Sequence, residues 1–393
     1  MKLKVILLTL ICFLNVALSF NANASDQFNW RGFVAQGVIQ AQNSNYIDDD
    51  GDATLKLTEV GINASYTLDT NFRVAGQIVY LNGGNRYPEG LRVDYLFLDW
   101  RAINSLDWQV NMHLGRVKNY HWIYSSTRDV PHTRPTIILP QSIYFDAFRD
   151  VALGVDGVAI VANTANALGE WEFNWSYGNS PISEEQTKNL IAVTASGDIE
   201  QKFVHQGNLV WHNQALRFSA GLLDSKFKYV SGDQDAFIDG DAQIQRLMLH
   251  GTYDAKHWQL AFELFRERSI YEDLIFPGFI NDSTSEGGYI QGRYFINKDI
   301  TATARLDIFD LDRKDRSGEK RAALSGGTVP AYFGFQDQFT LGASWTFSEN
   351  WQLQAEFHRV KGTGRLAPVF LPNTIQNDHK YWNIWGIQLA HWF

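Results

Sequence analysis

Apolar and polar residues alternate with a period of two along most of this chain. Over residues 300–308 every second residue is isoleucine, alanine or leucine, and the residues between them are polar. Residues 351–358 and 108–114 repeat this pattern. Such alternation is typical of β-strands, because successive side chains of a strand point to opposite faces. The sequence therefore predicts an all-β protein.

Turn-forming clusters divide the alternating stretches into about sixteen predicted strands. They lie at residues 28–41, 53–67, 71–82, 91–101, 107–118, 152–163, 169–178, 201–213, 215–229, 240–253, 256–268, 287–296, 299–312, 336–347, 350–361 and 382–393. Long polar loops mostly follow the odd-numbered strands, and tight turns follow the even-numbered ones. This rhythm is typical of a transmembrane antiparallel β-barrel with short periplasmic turns and long external loops.

Aromatic residues mark the tight turns, often directly after them, and one ends the chain. Those assigned to this group are Phe72, Trp108, Trp171, Trp258, Trp351 and Phe393. At one height around a barrel they would form a girdle, since amphipathic rings favour the membrane interface. The alternative is that large aromatics simply favour strand ends. A girdle also accounts for an aromatic content of 14%.

The N-terminal residues have the features of a cleavable secretory signal. Two lysines precede an apolar run, and Ala22-Asn23-Ala24 matches a cleavage site, which predicts a signal peptide at 1–24 and a single barrel domain at 25–393. Cys12 is the only cysteine, so the exported chain would carry no thiol chemistry. Loss of the two lysines takes the net charge from −9 to −11, which argues against a nucleic-acid partner.

The sequence resembles the Gram-negative porin superfamily. The resemblance rests on the signal peptide, the sixteen alternating strands, the long third loop and the last strand. The last strand, with Gly386, Ile387, Leu389 and the final Phe393, is similar to the assembly signal of outer-membrane barrels. Residues 114–118 are similar to a strand end of phosphate-selective-type porins. The Pro-Phe-Gly that often follows in that group is replaced here by residues 119–121, so phosphate selectivity is not implied.

In porins the third external loop folds into the lumen and forms the constriction, and here it is predicted at residues 119–151. Its Ile137-Ile138-Leu139 run would gain nothing in water but could be buried against a barrel wall. A surface lid or partner-contact loop remains the alternative. The expected constriction residues, which include two from the preceding strand end, are Arg116, Lys118, Arg128, Asp129, Arg134, Asp146, Arg149 and Asp150.

Polar positions of the predicted strands should face a wet lumen, because a charge facing lipid costs about 2–4 kcal/mol near the midplane. The expected pore-wall residues are Arg73, Arg92, Asp94, Arg305, Asp307 and Glu356. Opposed charges across a constriction would discriminate among small solutes. The basic excess near the third loop favours anions, whereas the net acidity of the chain favours cations, so charge selectivity stays open.

These features predict a non-enzymatic outer-membrane channel for small hydrophilic solutes or ions, with no cofactor and no metal. A barrel-based enzyme and a scaffold or assembly barrel are the alternatives. The acidic run at residues 48–52 does not fit the ligand spacing of a calcium loop. The resemblance implies outer-membrane lipid and lipopolysaccharide, the barrel-assembly machinery and a homotrimer as partners.

Overall fold

The computed structural model describes residues 27–149, 154–366, 368, 370 and 379–393. The predicted signal peptide at 1–24 and Asp150 lie outside the described residues. Within them the chain forms sixteen strands, joined in sequence order into one closed antiparallel barrel. The prediction of an all-β, sixteen-stranded barrel is confirmed.

The strands are β1 (Phe28–Gln42), β2 (Thr58–Thr67), β3 (Phe72–Asn82), β4 (Gly90–Asn104), β5 (Trp108–Lys118), β6 (Gly154–Asn166), β7 (Gly169–Asn179), β8 (Asp198–Asn213), β9 (Leu216–Val230), β10 (Gly240–Asp254), β11 (Trp258–Glu272), β12 (Ile280–Phe295), β13 (Ile300–Asp310), β14 (Phe335–Ser348), β15 (Trp351–Gly362) and β16 (Tyr381–Trp392). Two short helices, α1 (Glu184–Leu190) and α2 (Glu319–Leu324), lie in loops. Neither has the length and apolarity of a helix that crosses a membrane.

The connections alternate in length as predicted. The eight long ones, named L1 to L8 in chain order, all join strand ends at one end of the barrel: 43–57, 83–89, 119–153, 180–197, 231–239, 273–279, 311–334 and 363–380. The opposite end carries only tight turns and both ends of the described chain. β1 and β16 close the barrel along their length, and at this end Gly32 and Phe393 exchange two backbone hydrogen bonds of 2.9 and 3.0 Å.

Two strand starts differ from the predictions by five residues or more, and the others agree to within three residues. β12 begins at Ile280, seven residues earlier than expected. The alternation did not predict this extension because residues 281–286 are all polar. They still pair with β11, and the outward ion pair Arg268–Asp282 at 2.6 Å supports that extension. β2 begins at Thr58 and not at residue 53, since residues 53–57 form no continuous ladder with β1. They contact it through an isolated bridge between Thr54 and Ile39 and through single hydrogen bonds to the carbonyls of Leu55 and Leu57.

The two faces of the wall differ in polarity. On β11, Leu260 and Leu264 point outward and are 39% and 46% exposed, whereas Glu263 points inward and is completely buried. The same contrast runs around the barrel, so the outer surface presents a continuous apolar band. Soluble proteins rarely expose apolar patches of that extent, and lipid would cover it.

Aromatic side chains line the outer face at the tight-turn end. Phe72 stacks with Trp100, Trp258 contacts Tyr253 and Trp351 contacts His391, with ring centroids 6.2, 5.1 and 4.4 Å apart. Trp171 packs beside Trp211, Phe393 beside Trp30, and Trp108 is 49% exposed on the same rim. The residues singled out for a girdle therefore share one height on the barrel.

Candidate pore constriction

L3 leaves the wall at Lys118 and folds into the lumen. The ladder between β4 and β5 extends toward the loop end only as far as the pair Leu96–Arg116. Residues 90–95 of β4 therefore have no partner on β5. Arg116 lies in this opening, where it donates to the Val93 carbonyl at 3.2 Å and to both carboxylate oxygens of Asp156 at 2.6 and 2.7 Å. Its side chain has the outward phase of Leu114, so Arg116 belongs to the wall and does not join the constriction residues.

Apolar side chains of L3 pack into two clusters with inward-facing wall residues. Ile137 and Ile138 pack with wall residues that include Ile39 and Ile384. Trp122, Tyr124, Leu139, Ile143 and Tyr144 pack with Met248, Phe265, Tyr289 and Phe309. The loop is thus buried as a small core of its own, which confirms the inward folding. The aromatic residues of L3 are packed and do not form an exposed stacking surface.

Wall side chains also hold the backbone of L3. Glu356 of β15 accepts the N–H groups of Ile137 and Ile138 at 2.7 and 3.0 Å. Glu263 of β11 accepts the N–H of Ile123 at 2.7 Å and the hydroxyl of Tyr144 at 2.8 Å. Buried N–H groups need such partners, because an unsatisfied one costs about 1–3 kcal/mol.

Further bonds reach L3 from other sides of the barrel. Arg305 of β13 donates to the Thr136 hydroxyl at 2.8 Å and to the Ile138 carbonyl at 3.0 Å. Arg134 donates to Glu59 of β2 at 2.7 Å. On the opposite side, Asn208 of β8 contacts the Tyr120 carbonyl at 3.4 Å. L3 therefore spans the full width of the lumen.

The charged residues predicted for the constriction are mostly paired and buried. Asp146 accepts Arg128 at 2.6 Å, and Lys118 lies 2.6 Å from Asp94 and 3.7 Å from Asp129. Arg149 also binds Asp129. Buried charges require partners of this kind, because an uncompensated one is very costly. The structure brings together Lys118, Arg128, Asp129, Arg134, Asp146 and Arg149.

The predicted wall residues lie at different depths. Arg305, Asp307 and Glu356 are buried on the inner face against L3. Arg73 lies nearer the tight-turn end, half exposed, and pairs with Asp99 at 2.9 Å. Arg92 is at the loop end, where its guanidinium carbon is 5.4 Å from the ring centroid of Tyr87.

Several residues that hold L3 were missed. Glu59 and Glu263 occupy the inward phase of their strands, so the alternation alone could have identified them. The other missed residues are Tyr46 of L1, Arg86 of L2 and Arg365 of L8. Loop sequences have no alternation from which the direction of a side chain can be predicted. Among the described residues no cluster of three or more metal-type ligands occurs.

Part of the loop end is covered by an apolar cluster from several loops. Phe370 of L8 packs on Phe237 of L5, Tyr271 of β11 and Phe279 of L6, at 5.1–6.4 Å between ring centroids. Its N–H donates to the carbonyl of Leu190, which ends α1, at 3.0 Å. The covered side lies above β8 to β11.

Neither a family model nor a curated protein matches the sequence. Solved structures do match the barrel. The outer-membrane protein OmpT of Vibrio cholerae superposes with a TM-score of 0.59 at 12% identity, over 95% of this chain and all of that one. An anion-selective porin from Comamonas acidovorans gives 0.58 at 15% identity, over 93% and 99% of the two chains.

The channel DcaP of Acinetobacter baumannii gives 0.52 at 14% identity, over 95% of this chain and all of that one. The fold is that of the outer-membrane porins. At these identities the likeness extends to architecture and not to a subfamily.

Proposed function

We propose that this chain is a porin of the Gram-negative outer membrane, through which small hydrophilic solutes or ions diffuse passively. The observation that carries the proposal is a long loop folded inside a closed barrel whose inner face is polar and whose outer face is apolar. Such a wall separates a wet lumen from lipid. The porin and channel structures of the same fold support it.

The channel is narrow, because L3 bonds to strands on several sides of the lumen. Its charged residues act as pairs that hold the loop, and Arg73 and Arg92 lie at the two approaches to it. Solutes would pass beside L3, in contact with polar wall side chains. We expect a smaller conductance than that of a wide, water-filled barrel of the same strand number.

Purified protein in planar bilayers tests the proposal. Discrete conductance steps, together with swelling of loaded liposomes in small sugars, are the expected result. Protein that is folded, as shown by its heat-dependent gel mobility, yet gives neither steps nor swelling would overturn it.

We further propose that the protein is not an enzyme. Glu263 and Glu356, two buried carboxylates of the inner face, accept hydrogen bonds from L3 and so have a structural role. Ester- and peptide-hydrolysis assays on the reconstituted protein should give background rates. A hydrolytic rate that purifies with the barrel would contradict this.

The partners follow from the same proposal: outer-leaflet lipid and lipopolysaccharide around the apolar band, the barrel-assembly machinery, and two further copies in a homotrimer. The aromatic rim supports the lipid contact. Native mass spectrometry from mild detergent would give three times the protomer mass for a trimer, and a single protomer mass would contradict that part.

A further inference from the structure

A cavity of about 260 Å³ lies above L3 at the loop end of the barrel. It is lined by L1, L2, L3, α1 and L8, so five separate segments contribute to it. Sites for drug-sized ligands occupy about 300–1,000 Å³, so this cavity suits a smaller solute. We call it the vestibule cavity; its polar lining includes Asp49, Arg86, Asp146, Glu185, Asn189 and Arg365.

Two buried guanidinium groups form its deep side. Arg86 is 6% exposed and Arg365 is 9% exposed. Arg365 donates one bond, to the Ser142 carbonyl at 2.8 Å, and its guanidinium carbon lies 3.7 Å from the ring centroid of Phe309. Its Nε has no hydrogen-bond partner among the described residues. A buried donor without a partner is costly, so the guanidinium group of Arg365 is only partly compensated by the protein.

The carboxylate on this deep side is already engaged. Asp146 accepts bonds from Arg128 at 2.6 Å and from the Tyr46 hydroxyl at 2.9 Å, and Arg86 lies 3.6 Å away. Two guanidinium groups, those of Arg86 and Arg128, thus stand around one carboxylate on the vestibule side.

Burial lowers the pKa of Arg365 to about 9, although Glu267 and Asp307 behind it act in the opposite direction. It stays charged at neutral pH, and the deep side favours an anionic group.

The exposed side of the cavity has the opposite charge. Glu185 is solvent-exposed in the first turn of α1, where Lys188 pairs with its neighbour Glu184 at 2.7 Å. Asp49 stands across from it on L1 and accepts one bond from Asn85 at 2.8 Å. The cavity therefore has Arg86 and Arg365, together with the already paired Asp146, on its deep side and two carboxylates on its exposed side.

We propose that the vestibule cavity binds a zwitterionic solute of amino-acid size before it passes L3. The solute's carboxylate lies against Arg365 and Arg86, and its ammonium group lies toward Glu185 and Asp49. Asn189 offers an amide to the rest of the solute. This inference rests on the proposed channel function and names its solute class.

Current block in planar bilayers tests it, with L-glutamine added on the loop side. N-acetyl-L-glutamine, which lacks the ammonium group, and L-glutaminamide, which lacks the carboxylate, are the comparison solutes. We expect L-glutamine to block at the lowest concentration. Loss of one charge-assisted hydrogen bond in Arg365→Gln should raise its half-blocking concentration by about tenfold.

Glu185→Gln is exposed and should fold normally, so it tests the other end of the solute independently. It should weaken block by L-glutamine and leave block by N-acetyl-L-glutamine unchanged. Lys188→Gln on the same helix is the matched control and should change neither. Channels that conduct but are blocked equally by all three solutes, or not at all, would overturn the inference and leave the porin function standing. Folded protein that gives neither conductance steps nor liposome swelling would overturn both.

Discussion

Arg134 of L3 donates a 2.7 Å hydrogen bond to Glu59 of β2, and the two side chains are 4% and 1% exposed. They are 75 positions apart in the sequence and meet only because L3 crosses the lumen. The same contact ties the constriction loop to a strand three places along the wall from β5, where the loop begins.

Glu59→Gln should lower the free energy of unfolding by about 3–5 kcal/mol, because it leaves a buried guanidinium without its counter-ion. Urea unfolding in lipid vesicles, followed by tryptophan fluorescence, measures this. Lys361→Gln is the control, since its pair with Asp337 is 3.6 Å long and nearly half exposed. Such surface pairs contribute about 0–1 kcal/mol. Equal losses in the two variants would contradict the structural role of Glu59.

Glu356→Ala should loosen L3, because two buried N–H groups lose their acceptor at a cost of about 1–3 kcal/mol each. We expect noisier current and a larger mean conductance in single-channel recordings. Glu356→Gln keeps one carbonyl acceptor and should give an intermediate effect. Recordings identical to the parent channel in the alanine variant would show that L3 is held elsewhere.

The seating of L3 should also depend on pH. Burial lowers the pKa of His121 to about 3, with Arg246 and His250 adding to the effect. Burial and the neighbouring Arg134 lower the pKa of His132 to about 4. Since both values lie below the ordinary 6.5, the contribution of these neutral rings is fully present above about pH 6.5 and is lost as the pH falls toward 4 and below.

Current noise should therefore rise between pH 6.5 and 4. A channel with His121→Gln and His132→Gln should show a flatter profile, whereas His212→Gln, exposed at the tight-turn end, should keep the parent profile. An unchanged acid response in the double variant would assign the effect to other groups.

Trp258→Ser should weaken the barrel in vesicles by about 1.5–3 kcal/mol, the range for losing one large buried apolar side chain. Trp258 is 44% exposed in the protein alone and contacts Tyr253, so lipid would cover the rest of its surface. Leu106→Ser is the control because Leu106 projects fully from a tight turn. Refolding and unfolding titrations in vesicles would separate the two, and equal stabilities would contradict a girdle.

The fold was predictable because alternation and loop length are local properties of the chain. Arg305, Asp307 and Glu356 could be placed on the inner face for the same reason. The closeness of Arg116 to L3 in the sequence does not predict where its side chain points. Its place in the alternation of β5 turns it outward, whereas Lys118, two residues later, points inward and pairs with Asp94.

The contacts of the loops were not predictable. Arg365 meets L3 only because L8 folds back over the barrel, and nothing in its sequence spacing reports that path. Glu263 could have been predicted, because its strand was predicted correctly. The alternation along that strand shows that Glu263 faces the lumen. The ion pairs of the constriction depend on which side chains are buried together, and spacing along the chain does not give this.

The seam between Gly32 and Phe393 has a kinetic consequence. Every other ladder joins strands that are neighbours in sequence and can form as a hairpin, but the β1–β16 ladder joins the two ends of the barrel. Contacts between distant parts of a chain form slowly because loop closure precedes them. Until these two strands meet, the sheet has two unpaired edges that can capture another chain. A slower closure of this ladder would lengthen the time for which those edges are open to pairing with another chain.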